Sequence, residues 1–82
     1  MTFANKILEH QKAMLNLLVD NFGNQAGLAK ALDVSDQVVC NWVRRGRISA
    51  TMAEKAQDVT AGKFDKRELR PDVRKWYNEK GR

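Results

Sequence analysis

The stretch Gln25-Ala-Gly-Leu-Ala-Lys-Ala-Leu-Asp-Val-Ser-Asp-Gln-Val-Val-Cys-Asn-Trp-Val-Arg44 decides the fold. It reads as two short helices with almost nothing between them. Asn24 and Ser35 have side-chain oxygens suited to N-caps, which places helices over Gln25 to about Leu32 and Asp36 to about Arg45. Leu28, Ala29 and Leu32 share an inward face on the first; Val39 and Trp42, three apart, face inward on the second. Ala29 is small where two helices crossing steeply must approach. Asp33-Val34 is the whole connection, with Val34 filling the hollow beneath the turn. Asp36 in the first turn and Arg44-Arg45 in the last suit the helix dipole, and Gly46 ends the helix.

Upstream, helical spacing predicts a helix from about Thr2 to Phe22, closed by Gly23. Leu8, Leu15, Leu18 and Phe22, with Val19 beside them, form one apolar stripe; Ile7, Met14 and Leu17 form a second. Together they are wider than one small core requires. The extra stripe covers either the C-terminal segment or a second copy of the chain. Downstream, a helix is expected from about Ala50 to Thr60, capped by Ser49 or by a Thr51–Glu54 capping box. Asp65-Lys-Arg-Glu68 repeats that spacing and suggests a helical turn before Pro71. Beyond Pro71 the chain reads as a frayed tail or a short helix, in which Trp76 and Tyr77 either pack on the core or stack at a partner surface. Strand signals are nearly absent. The expectation is an all-α fold, a small four- to five-helix bundle over residues 1–73, followed by a basic tail, 74–82.

A chain of 82 residues holds about one small domain, too small for a doubly wound sheet or a barrel enzyme. It carries 15 Lys and Arg against 10 Asp and Glu, and the sequence pI is near 9.7, in the range of nucleic-acid binders. The excess sits at the end: residues 63–82 hold eight basic and four acidic groups. That tail either tracks a phosphate backbone or is simply solvated. A lone cysteine, Cys40, permits no internal disulfide, and Cys40 with the single His10 makes no zinc site. Apolar runs such as Leu17-Leu18-Val19 reach only three residues, far below a membrane span of about 20, and the N-terminus has no signal-peptide pattern. Paired carboxylates, a phosphate-cradling glycine loop and an activated nucleophile are all missing from the pattern. The chain is therefore read as a non-enzyme needing no cofactor or metal, soluble and cytoplasmic.

With Val39 and Trp42 turned inward, the opposite face of the second motif helix carries Asp36, Gln37, Cys40, Asn41 and Arg44. An α-helix fits the major groove of DNA. Gln and Asn there can pair with adenine, Arg with guanine, and Asp can accept from cytosine. Cys40, a weak hydrogen-bonding group, reads instead as a small packed residue.

This segment resembles the helix-turn-helix of the phage Cro and lambda-repressor-like family. Phe22-Gly23 and Gly46-Arg47-Ile48-Ser49 resemble its Cro-type members, and Arg67-Glu-Leu-Arg-Pro-Asp-Val73 resembles the end of its YdaS-type branch, so that about residues 16–73 are covered. Two positions depart from the pattern. Asp33 stands where the family usually has Gly in a left-handed turn, a conformation Asp tolerates at modest cost. Cys40 stands where Ser or Asn is usual.

The resemblance implies that Asp36, Gln37, Asn41 and Arg44 contact bases. It implies that Gln25, Ser35, Arg45 and Arg47 contact phosphates. It further implies a homodimer on a near-palindromic operator in double-stranded DNA, acting as a repressor in a bacterial host, at the nucleoid. Two other readings stand beside this one: a toxin–antitoxin-type regulator whose tail docks a protein partner, and a helical protein-interaction module that keeps the scaffold without DNA affinity.

Overall fold

A computed structural model describes residues 3–73 and Trp76. Five helices follow in order: α1 (Phe3–Asn21), α2 (Gln25–Leu32), α3 (Asp36–Arg45), α4 (Ala50–Val59) and the single turn α5 (Lys66–Leu69). No strand occurs among the described residues. The fold is all-α and contains the helix-turn-helix expected at α2–α3.

The helix ends follow the local chemistry. Asn24 Oδ1 accepts from Gly27 N at 2.8 Å, Ser35 Oγ from Val38 N at 3.3 Å, and Asp65 Oδ1 from Arg67 N at 2.8 Å. Of the two candidate caps for α4, Ser49 is the one used, accepting from Met52 N at 3.3 Å. Asp33 takes the left-handed conformation (φ 59°, ψ 47°), with its N–H directed to the Ala29 and Lys30 carbonyls. Val34 N then donates to Ala29 O at 2.9 Å, which closes the turn and aims the chain into α3.

The core lies where α2 crosses α3 and is closed by α1, α4 and the C-terminal segment. Leu15 and Leu18 of α1, Leu28, Ala29 and Leu32 of α2, and Val39 and Trp42 of α3 are all buried, and Ile48, Ala53, Ala56, Phe64 and Leu69 complete it. Val34 packs against this cluster from the turn. On α1, the buried face centres on Gln11, Leu15 and Leu18, and it meets α5 as well as α2 and α3. The C-terminal segment thus covers part of the broad apolar surface. The stripe drawn through Leu8 is corrected at its first member: Leu8 is 54% exposed, at the edge of a buried face that runs through Gln11, Leu15 and Leu18. Leu17 is 53% exposed, while Met14 of the same stripe packs against the core.

Trp76 packs on the core, at 1% exposure, although it lies past the expected tail boundary. Its indole N–H donates to Glu54 Oε2 at 3.0 Å, and Lys66 Nζ stands 5.1 Å from the ring centroid. Tyr77 and the rest of the basic tail lie outside the described residues.

Gly27, third in α2, has a role that spacing does not reveal. A β-carbon built there collides with the Phe22 carbonyl oxygen, a backbone atom that cannot rotate away. Intrinsic propensity favours Gly27→Ala by about 1 kcal/mol. The collision opposes it, and forced overpacking costs about 1–3 kcal/mol. The collision should win because the obstacle is main chain. Urea unfolding is expected to show Gly27→Ala less stable than the parent. A gain in stability would mean that the α1–α2 corner moves freely.

Candidate nucleic-acid interface

Helix α3 turns one face into the core and leaves the other largely open. Val39 and Trp42 are fully buried; Asp36, Gln37, Arg44 and Arg45 are exposed; Cys40 and Asn41 are half-buried. Gln37 Nε2 donates to Asn41 Oδ1 at 3.1 Å, one turn along. This bond leaves the Gln37 carbonyl oxygen and the Asn41 amide group without a hydrogen-bond partner among the described residues. Arg44 Nη2 stands 4.0 Å from Cys40 Sγ, so the thiol lies under the arginine rather than alone at the surface. Asp36 occupies the first turn, where its charge matches the helix dipole.

Of the expected phosphate-contact residues, Ser35 and Arg45 stand at the two ends of α3 and Arg47 follows two positions on. Gln25 opens α2, half-buried. Ser35 is committed through its oxygen to capping α3, which leaves its O–H proton free to donate. Arg45 is exposed in the last turn of α3. Arg47 differs: its Nη1 lies 3.9 Å from Asp72 Oδ2.

Three neighbours of the site escaped sequence reasoning. Lys12 of α1 is exposed and stands beside the end of α3, since a β-carbon at Gly46 would lie 3.9 Å from Lys12 Cβ. Neither Lys12, Arg44 nor Arg45 has an acidic partner among the described residues, so the end of α3 concentrates unbalanced positive charge. Arg70 and Asp72 form a two-point pair, Nε–Oδ1 and Nη2–Oδ2, both 2.8 Å. Arg70 Nη1 also donates to the Ile48 carbonyl at 3.0 Å, which ties the C-terminal segment to the loop after α3. The motif Arg70-Pro-Asp72 was visible in the sequence, but nothing local showed where it docks.

The Arg70 fork holds the Asp72 carboxyl below its ordinary 3.8, against the opposing effect of burial, with Arg47 adding to the lowering. A depressed carboxylate contributes stability above its unfolded pKa and loses it as pH falls through the folded value. Unfolding free energy should therefore hold steady with respect to this group down to about pH 4 and drop below it. Asp72→Asn should remove part of that acid sensitivity, as read from urea midpoints at about pH 7 and pH 3. An identical acid loss in the variant would show that other carboxylates carry it.

The sequence profile of the family described as "Bacterial toxin YdaS" matches residues 15–78, most of the chain. The chain belongs to the YdaS family. The match includes the whole α2–α3 unit and runs on past Trp76, so this YdaS-family chain shares both the exposed helix and the closing segment with its family. It is also 42% identical over 55 residues to the regulatory protein cro of Pseudomonas phage D3, an alignment covering 66% of this chain and 75% of that protein. No solved structure matches the chain. Among the described residues, no helix is long and apolar enough to cross a membrane, and no cluster of three or more metal-ligating side chains occurs.

Proposed function

We propose that the chain is a phage-type regulator that binds double-stranded DNA by placing α3 in the major groove. The observation that carries this reading is the open face of α3: two hydrogen-bonded amides in its middle and, at its end, two arginines with no acidic partner among the described residues. The likeness to a phage protein named cro supports the regulatory role. In this reading Asp36, Gln37, Asn41 and Arg44 meet base edges, and Gln25, Ser35, Arg45 and Arg47 hold phosphates on either side. Two copies place their α3 helices in successive major grooves, about 34 Å apart, on a near-palindromic operator. Leu17 of α1 is an apolar side chain that the second copy would cover. Occupancy of the operator excludes RNA polymerase, which makes the protein a repressor. It needs no cofactor and performs no catalysis.

Selection of bound duplexes from random DNA at about 150 mM salt tests the reading. The expected product is an inverted repeat with half-site centres about one helical turn apart. A single enriched half-site would remove the dimer and keep the base readout. Absence of enrichment by folded protein would leave an interaction module on the same scaffold. The family's description as a bacterial toxin favours one second reading, a regulator of toxin–antitoxin type. Copurification of a second chain at fixed stoichiometry would support it.

Phosphate contacts give a separate expectation. Arg45 has no acidic partner among the described residues, so Arg45→Ala should weaken binding to all sequences alike. The log–log salt slope should flatten by about 0.9. An unchanged slope would make Arg45 an ordinary surface charge.

A further inference from the structure

We propose that Asp72 restrains the sequence-independent DNA affinity of this chain by holding Arg47 against its own carboxylate. The inference rests on the DNA-binding reading above and adds a residue to it.

Asp72 is fixed in place by groups other than Arg47. Arg70 grips both of its oxygens at 2.8 Å. Gln11 donates Nε2 to Oδ1, also at 2.8 Å, and Gln11 is 1% exposed. Its own carbonyl oxygen is buried without a partner among the described residues. Rotation of the carboxylate away from α1 would strand the other half of a buried amide, which is costly. Arg70 also holds the Ile48 carbonyl, so the loop that carries Arg47 is pinned to the same segment. Arg47 is the last and loosest member of this group. Its Nη1 sits 3.9 Å from Oδ2, within ion-pair range and beyond a direct hydrogen bond, and its side chain is 48% exposed.

This arrangement has consequences for a phosphate arriving at the end of α3. Arg45 and Lys12 meet it with their full charge. Arg47 meets it only in competition with a carboxylate that cannot retreat, and that carboxylate itself repels the phosphate. Asp72 is thus a positioning residue, acting on DNA through Arg47.

The test compares Asp72→Asn with the unaltered chain on random-sequence duplex between about 50 and 200 mM salt. Release of Arg47 should tighten binding and steepen the salt slope by about 0.9, one phosphate contact. The advantage of the variant should then shrink about 3.5-fold across that fourfold range of salt. Arg47→Ala in the Asp72→Asn background should remove most of the gain and the steeper slope, which a merely structural role for Asp72 would not predict. An unchanged or flatter slope in folded Asp72→Asn overturns the proposal. If Asp72→Asn does not fold, the comparison moves to the unaltered background. There Arg47→Ala should flatten the slope by less than half as much as Arg45→Ala, and equal losses overturn the proposal. An unaltered chain with no salt-dependent DNA affinity refutes the DNA-binding reading itself, and this inference with it.

Discussion

Trp76→Ala is expected to cost about 3–5 kcal/mol, the usual range for emptying a buried aromatic site. A domain of this size has a total stability of about 4–12 kcal/mol, so the loss takes a quarter of it or more. At about 4–8 °C per kcal/mol, the midpoint of thermal unfolding should fall by at least 12 °C, to roughly that order. Three observations set this expectation: 1% exposure of the ring, the indole bond to Glu54 and the Lys66 ammonium over its face. Trp76→Phe keeps most of the ring and should lose much less. Glu54→Gln tests the hydrogen bond alone and should shift the midpoint little, because Glu54 is exposed. Far-UV circular dichroism on heating reads all three. A drop of under about 5 °C for Trp76→Ala would mean that the ring contributes little to the core.

The second large effect concerns the amide pair on α3. Gln37→Ala and Asn41→Ala should each cost about 1–3 kcal/mol on selected operator DNA and little on random DNA. Their hydrogen bond adds a further expectation. Gln37 Nε2 is held by Asn41 Oδ1, so loss of either residue frees the other to turn from its base. The double variant should then lose less than the sum of the single losses, with a coupling of about 0.5–3 kcal/mol. Titration of the four proteins against one operator duplex and one random duplex completes the cycle. Equal losses on both duplexes would refute base readout, and strict additivity would show that the two side chains act separately.

The α2–α3 unit was legible because its determinants are local. Caps act over two or three positions, a left-handed residue closes its own turn, and inward faces repeat every three or four residues. Asn24, Asp33, Ser35, Val39, Trp42 and Gly46 therefore took the places their chemistry indicated. Periodicity is blind to what covers a face. It placed Leu8 in line with Leu15 and Leu18, but Leu8 lies at the edge of the buried face and meets solvent. Gly27 is required by the Phe22 carbonyl across a corner, a clash visible only in three dimensions. The candidate site divides in the same way. The bare face of α3 follows from its own spacing, whereas Lys12 reaches the end of α3 from another helix. Asp72 is bound to Gln11, 61 positions earlier, and no local pattern links the two.

That long pairing also sets a timetable. The His10–Gln11 half of α1 finds its partners, Glu68 and Asp72, 58 and 61 positions downstream. The α2–α3 corner draws its caps and turn bonds from its own residues, and closing a short loop carries the smaller entropy cost. On a ribosome adding about 5–20 residues per second, that half of α1 waits roughly 3–12 seconds for its cover. During that interval the nascent chain can already have shaped its helix-turn-helix while an apolar helix stands open beside it, within reach of any chaperone that binds such surfaces.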